Sequence, residues 1–264
     1  MSSETPSLLE AALRRDRAVT VAALVIVITL SWLWIALGAG MGMSAIEMTR
    51  MPRDMAMAPA AWSAAYAGLI FLMWCVMMVA MMLPSAAPVL LLFARIGHDG
   101  AAGRLLTPTA CFAAGYLAAW AGFSAVATTL QCELERSGLL SGMMATTATW
   151  LGAAILIGAG LWQFAPFKHT CLRHCRSPIG FLTTHWRAGR GGAFRMGLGH
   201  GAHCLGCCWF LMALLFFGGV MNLWWIGGLS AYILLEKSMP LGHWLGYVAG
   251  VGLVLWGSFL LVSA

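Results

Sequence analysis

A short segment near residue 200 combines two imidazoles and three thiols. It contains His200, His203, Cys204, Cys207 and Cys208. On an α-helix, which advances about 100° per residue, these five side chains fall within an arc of about 140°. An isolated buried cysteine is usually an inert small hydrophobe. Two imidazoles and three thiols on one helix face instead favour metal binding or redox chemistry.

A second group of soft ligands precedes it in a basic segment. Cys171 and Cys175 are four residues apart and share one face if this segment is helical, with His174 beside them. Basic neighbours stabilise the thiolate, which is the form that binds metal. Two cysteines at this spacing are suggestive of a metal site but are not specific for one.

A methionine-rich run lies inside a long apolar segment. Its thioethers repeat at four-residue spacing on adjoining helix faces. They belong to Met77, Met78, Met81 and Met82. Thioether sulfur is a soft ligand that selects Cu(I) over hard cations. Methionine also fills irregular gaps in apolar cores, so the run taken alone is more typical of an adaptable packing face.

More methionines follow the first apolar run, in a segment predicted to be an outer loop. They are Met41, Met43, Met48, Met51, Met55 and Met57. Two interpretations of this loop are open: it binds Cu(I) transiently, or it is a hydrophobic loop whose side chains contact the membrane interface.

The composition indicates that these groups belong to a membrane protein. Of 264 residues, 61% are hydrophobic and 9% are charged, and the mean hydropathy is +0.85. Soluble domains are about 45–50% apolar and about 25% charged. A soluble enzyme is therefore excluded, and eight cysteines among apolar runs exclude a small secreted disulfide scaffold. The predicted fold class is all-α, a polytopic transmembrane helical bundle.

Six uncharged runs exceed the roughly 20 residues that a membrane-spanning helix needs. They are Ala18–Gly40, Trp62–Phe93, Pro108–Leu130, Met143–Phe167, Met196–Val220 and Leu241–Ala264. A seventh run, Asn222–Leu235, is short and represents either a tight span or a helix in the interface. We therefore predict six to seven spans, and seven gives the more consistent charge distribution.

The basic residues predict a cytoplasmic N-terminus, because inner loops of membrane proteins are enriched in Lys and Arg. With seven spans, three of the 15 basic residues lie outside, at Arg50, Arg53 and Arg136, and the rest lie inside. The inner loop Lys168–Arg195 carries many of them. The net charge of +6 thus reflects topology and does not indicate nucleic-acid binding.

The chain is predicted to form one domain. Residues 1–17 read as a polar cytoplasmic segment, and residues 18–264 as a single transmembrane helical domain. The first apolar run is too long for the apolar region of a signal peptide, so we interpret it as a retained span. On its last run, Gly242, Gly246 and Gly250 predict close helix packing.

This topology brings the clusters together. The inner loop with Cys171 and Cys175 leads directly into the span with Cys204, and the methionine run reaches a comparable depth. A joint site of thiolate, imidazole and thioether is therefore plausible. On the cytoplasmic side, such cysteines favour metal binding over stable disulfides.

Several other polar residues carry weaker signals. Packing or solvation is the simpler interpretation for Cys111, Cys132, His98, His185 and His243. Gln163 and Glu236 lie in or beside spans, where polar groups are often functional. Each is equally consistent with a hydrogen bond between packed helices.

Several blocks of the chain resemble a bacterial family of predicted metal-binding integral membrane proteins of unknown function. The matching blocks are Trp74–Ser85, Gln163–Lys168, Cys171–Pro178, Cys204–Trp209, Gly219–Asn222 and Glu236–Lys237. The resemblance covers roughly residues 62–264 and implies the bacterial inner membrane as the location. It implies a metal site but names neither metal nor reaction. The motif residues that it implies are Met77, Met78, Met81, Met82, Cys171, Cys175, Cys204, Cys207 and Cys208.

The ligands favour a protein that handles, senses or delivers a soft metal, with copper the best match to sulfur ligands. Zinc accepts Cys and His but does not explain the methionines. Haem or an iron–sulfur cluster fits the alternative of a membrane oxidoreductase, and a subunit of a larger membrane complex is a third hypothesis. The expected partners are the lipid bilayer, the metal ion, and a metallochaperone or membrane subunits. Whether the protein is an enzyme stays open.

Overall fold

The computed structural model describes residues 8–51, 61–96 and 106–263, with side chains given from residue 17 and, in the third range, from residue 108. These residues form a helical bundle. In chain order the helices are α1 Leu8–Ala36, α2 Ala45–Arg50, α3 Ala64–Ile96, α4 Leu106–Arg136, α5 Thr149–Phe164, α6 Pro166–Arg176, α7 Pro178–His185, α8 Gly189–Gly218, α9 Leu223–Ser238 and α10 Gly242–Val262.

Five of the described helices are long and apolar enough to cross a membrane. They are α1, α3, α4, α8 and α10, and α5 with α6 forms a sixth if the bent pair is one span. The prediction of an all-α polytopic bundle is therefore confirmed. Helix α9 has 16 residues and is not among the candidates, so seven spans and the cytoplasmic N-terminus stay predictions.

The predicted run Met143–Phe167 does not form one straight helix. Helix α5 ends at Phe164, and the chain bends by 66° before α6 begins at Pro166. Proline disfavours helical backbone at the residue before it, and Ala165 is extended, with ψ of 129°. The bend lays α6 across α8, and the two helices pack against each other.

The basic segment Lys168–Arg195, predicted as an inner loop, is mostly helical. It contains α6, α7 and the first turns of α8. These helices were not recognised because the segment is rich in charged residues. Helix α6 is amphipathic: it buries Cys171 and Leu172 and exposes Arg173. The conditional prediction that Cys171 and Cys175 share a helix is confirmed.

Glycines allow the helices around the site to approach closely. A Cβ atom on Gly197 of α8 would lie 1.9 Å from the Phe112 carbonyl oxygen of α4. On α10, a Cβ atom at Gly250 would lie 2.8 Å from the Gln163 Cβ atom of α5. The predicted small-residue packing of the last helix is therefore confirmed.

Helix α3 carries two internal prolines, Pro84 and Pro88. Each proline removes one backbone donor from the helix. The nearby carbonyl oxygen of Met82 accepts hydrogen bonds from the hydroxyl groups of Ser85 and Tyr116, at 2.8 and 3.1 Å. Tyr116 belongs to α4, so this bond ties the proline-containing part of α3 to its neighbour.

Candidate metal centre

Four cysteine thiols from two helices meet in the interior of the bundle. Cys175 of α6 interacts with Cys204 and Cys207 of α8, and both of these interact with Cys208. The three α8 cysteines are at most 1% exposed. We call these four residues the thiol cluster. The expected juxtaposition of the inner segment with α8 is therefore observed.

Two of these thiols form hydrogen bonds within their own helix. The S–H groups of Cys207 and Cys208 donate to the carbonyl oxygen of Cys204, at 3.0 and 2.9 Å. Such local bonds satisfy a buried thiol in its protonated form. A metal ion would compete with them for the same sulfur atoms.

Cys171 lies at the edge of the thiol cluster, one helical turn before Cys175. It is 5% exposed, and its sulfur atom would be 2.8 Å from a Cβ atom on Gly206. Its thiol interacts electrostatically with Cys207. Cys171 is therefore a neighbour of the cluster and packs closely against α8.

A buried lysine, Lys237, lies beside the thiol cluster. From the sequence, this residue was interpreted only as one of the basic residues of the inner loops. The amine of Lys237, on α9, lies 2.9 Å from the Cys204 sulfur atom and 3.2 Å from the Ser85 hydroxyl oxygen. Lys237 is 8% exposed. Among the described residues no carboxylate forms a salt bridge with it. A buried ammonium needs a compensating charge, which Cys204 would supply as a thiolate.

Tyr116 and Met82 complete the surroundings of Cys204. The Tyr116 hydroxyl oxygen lies 3.1 Å from the Cys204 sulfur atom. The thioether sulfur of Met82 lies 4.0 Å from the Cys208 sulfur atom. Sequence reasoning missed Tyr116, whose only sequence signal is a polar group in an apolar span.

The other three methionines of the predicted run are core residues. Met77, Met78 and Met81 are at most 1% exposed and belong to the apolar core. Their role as packing residues, which the run alone favoured, is consistent with this burial. Met82 is the member of the run that has a sulfur contact with the cluster.

The two predicted histidines of α8 have different surroundings. His200 is 2% exposed, lies between the rings of Phe112, Tyr116 and Phe181, and its Nδ1 atom has no hydrogen-bond partner among the described residues. His203 is half-buried and stacks on His174, with 4.4 Å between ring centroids.

A third imidazole joins His174 and His203. The ring centroid of His185 lies 6.2 Å from that of His174 and 6.5 Å from that of His203. The Nδ1 atoms of His174 and His203 lie 2.9 and 2.7 Å from the carbonyl oxygens of Thr170 and Gly199. A carbonyl oxygen only accepts, so each Nδ1 donates, and in the neutral form of each ring the lone pair is on Nε2. His185, expected to be merely solvated, thus belongs to an imidazole group.

Buried charges lie close to the thiol cluster on the α5 and α10 side. Lys168 forms a salt bridge with Glu236 and a hydrogen bond with Gln163, and each of the three is at most 1% exposed. The Glu236 Oε2 and Gln163 Nε2 atoms have no partner among the described residues. A Cβ atom on Gly246 would lie 3.0 Å from Glu236 Oε1. Gln163 and Glu236 are therefore linked through the buried Lys168 amine, which donates to both.

The geometry of the cluster is not that of an assembled metal site. Within the parts of the chain that the structure describes, no three side chains of His, Cys, Asp or Glu are arranged to hold one metal ion. Methionine is not among those residue types. The metal-binding role of the eleven predicted residues stays a prediction. Met55, Met57 and His98 lie outside the described residues.

The fold and these contacts define a class: a helical protein with several long apolar spans and buried thiols beside a cation. The family model described as PpoB2, copper chaperone, matches residues 71–260. The chain belongs to this copper chaperone family, and its function is copper-related. The match includes the thiol cluster, Met82 and Lys237. No curated protein and no solved structure matches the chain.

Proposed function

We propose that this protein is a membrane-embedded copper chaperone that holds Cu(I) at the thiol cluster and Met82. The observation that carries the proposal is the meeting of four thiols, one thioether and a buried ammonium within one core. Thiolate and thioether are the ligands that select Cu(I). The membership of the copper chaperone family supports the choice of metal.

Lys237 supports the choice of thiolate ligands. Two thiolates bound to Cu(I) carry a net negative charge, which is costly to bury without a nearby cation. The Lys237 amine, 2.9 Å from the Cys204 sulfur atom, balances it. The same amine stabilises the thiolate form of Cys204 in the metal-free protein. One ligand is therefore already in the form that binds metal.

The remaining predicted ligands extend from the cluster along three helices. His200 and His203 precede Cys204 on α8, Cys171 precedes Cys175 on α6, and Met77, Met78 and Met81 precede Met82 on α3. Copper moves between such soft ligands by ligand exchange, without a nucleotide-driven motor. The imidazoles of His174, His185 and His203 would be the first ligands of a copper ion that is exchanged with a metallochaperone.

The proposal includes the cellular setting. The charge distribution supports a bacterial inner-membrane protein with its N-terminus, α6 and α7 on the cytoplasmic side. Helix α9 is then an additional span, sixth in chain order, which raises the number to seven. It packs against α3 and carries Lys237 to the thiol cluster.

Copper content of the purified full-length protein tests this function. In the variant C204S/C207S/C208S, bound Cu(I) is expected to fall by at least one equivalent per chain, measured against a competing Cu(I) chelator. The matched control is C111S/C132S, whose thiols lie outside the cluster, and it should keep all its copper. Cu(I) X-ray absorption should show sulfur ligands in the unaltered protein. Full copper content in a folded triple serine variant contradicts the proposal.

A further inference from the structure

A small cavity lined by methionines lies at the C-terminal end of α8, beyond the thiol cluster at the middle of that helix. Its volume is about 30 Å³, about that of one water molecule in the liquid. It is lined by Met48, Met51, Met143, Ala145, Gly218, Gly219, Met221 and Asn222. Methionine accounts for 18 of the 264 residues but for four of these eight. We call this the methionine cavity.

The four thioethers come from three separate segments. Met48 and Met51 lie at the end of α2, Met143 precedes α5, and Met221 lies between α8 and α9. Gly218 lies about 15 Å along α8 from Cys208, at 1.5 Å per residue. The methionine cavity is therefore distinct from the candidate metal centre.

Hydrogen bonds hold these segments in place. The amide of Leu223 donates to the Thr49 hydroxyl oxygen of α2, at 2.9 Å. The amide of Val220 donates to the Met144 carbonyl oxygen, and that of Thr146 donates to the Phe216 carbonyl oxygen. A capping box closes the start of α2, where the Ser44 side chain accepts from the amide of Glu47. The walls are therefore preorganised by backbone bonds, which leaves the flexible methionine side chains free to adjust.

Packing alone accounts poorly for this arrangement. Methionine serves in apolar cores as a flexible filler that removes gaps, whereas these four side chains surround one. Met48, Met51 and Met143 are only half-buried, so they do not seal a dry core. Met221, 2% exposed, forms the inner wall.

We propose that the methionine cavity binds one Cu(I) ion through thioether sulfur atoms. Thioethers are neutral and soft, so they bind Cu(I) and discriminate against Zn²⁺ and harder cations. Met48 and Met51 belong to the predicted outer methionine loop, and Met143 and Met221 are partners that their positions in the sequence do not reveal. Its use as a transfer site for the same metal rests on the proposed function.

Silver binding in a cysteine-free background tests the cavity directly. Ag(I) is a redox-stable probe with the ligand preferences of Cu(I). A full-length variant with all eight cysteines replaced by serine should bind Ag(I) with an affinity that falls at least tenfold when M48L, M51L, M143L and M221L are added. Leucine conserves volume and is tolerated well in place of methionine. The matched control M212L/M239L should leave the affinity unchanged.

A second measurement does not depend on variants that fold. In the unaltered protein with ¹³C-labelled methionine methyl groups, substoichiometric Ag(I) should shift the signals of Met48, Met51, Met143 and Met221, and Zn²⁺ should not. Unshifted signals together with unchanged affinity in the leucine variant overturn the inference. The failure of the proposed function is a separate result, because it appears as copper retained by the serine variant.

Discussion

The thiol cluster and the methionine cavity are two sulfur-rich regions with opposite electrostatics. In the cluster, titratable thiols are buried on helices beside the Lys237 amine. In the cavity, neutral thioethers project from the ends of helices and the connections between them. A buried thiolate needs a countercharge, whereas a thioether needs none. The comparison suggests tight retention of copper at the first region and fast exchange at the second.

Lys237→Met should have the largest effect on Cu(I) affinity, and this effect should be confined to the thiol cluster. Without the ammonium, the bound thiolates lose their countercharge, so the Cu(I) affinity of the cluster should fall about 100-fold. Competition against a Cu(I) chelator measures this. Lys237→Arg keeps the charge and should recover much of the affinity, and Ag(I) binding in the methionine cavity should not change. Equal affinities in the Met and Arg variants would show that charge compensation is not the role of Lys237.

Acidification should have the second largest effect: it should lower the metal affinity of the thiol cluster and leave that of the methionine cavity unchanged. Cu(I) replaces a proton on each thiol that it binds as thiolate, so affinity falls about tenfold per pH unit for each proton released. Thioethers release no proton, and their affinity should stay constant over the same range. The measurement is Ag(I) or Cu(I) affinity against pH in two variants: one with only the four leucine substitutions, which keeps the thiol cluster, and the serine variant, which keeps the methionine cavity. Parallel pH profiles would refute the distinction between charged and neutral sulfur sites.

Met82→Leu should have a smaller effect than either of these changes. The Met82 sulfur atom contacts Cys208 at 4.0 Å, so its loss removes one neutral ligand from the cluster and lowers Cu(I) affinity about fivefold to tenfold. Met73→Leu is the matched control, because Met73 is equally buried, precedes Met82 by nine residues on the same helix and is not a predicted ligand. If both variants lose affinity equally, the run acts through packing and not through Met82.

Much of the fold is readable in the sequence because membrane spans are long and apolar. Helices α1, α3, α4, α8 and α10 coincide with predicted runs. The bend before α6 and the helices α6 and α7 were not predicted in detail. A charged amphipathic helix looks like a loop when only apolar length is considered, and Pro166 lies inside a run that reads as one span.

The site was only partly predictable, for a different reason. Soft ligands are recognisable by type, so Cys175, Cys204 and Met82 could be selected before their contacts were known. The contact of Lys237 with Cys204 joins residues 33 positions apart, and that of Tyr116 joins residues 88 positions apart. Such pairs depend on how α4, α8 and α9 pack. No local pattern encodes them, and the same holds for the pairing of Met48 with Met143.

Substitutions in the imidazole group should have the smallest effect, and they should change the rate of Cu(I) release and not the affinity. If His174, His185 and His203 receive copper as it leaves the thiol cluster, H174A/H203A should slow Cu(I) release to an external chelator about twofold to threefold, while the equilibrium affinity stays the same. Their neutral imidazole nitrogens provide the exchange ligands, whereas the thiolates set the affinity. His243→Ala, at the start of α10, is the control and should leave the rate unchanged. Stopped-flow release from loaded protein measures the rate. A lower affinity with an unchanged rate would instead make the imidazoles part of the binding site itself, and the thiol cluster would then extend to the surface of the bundle.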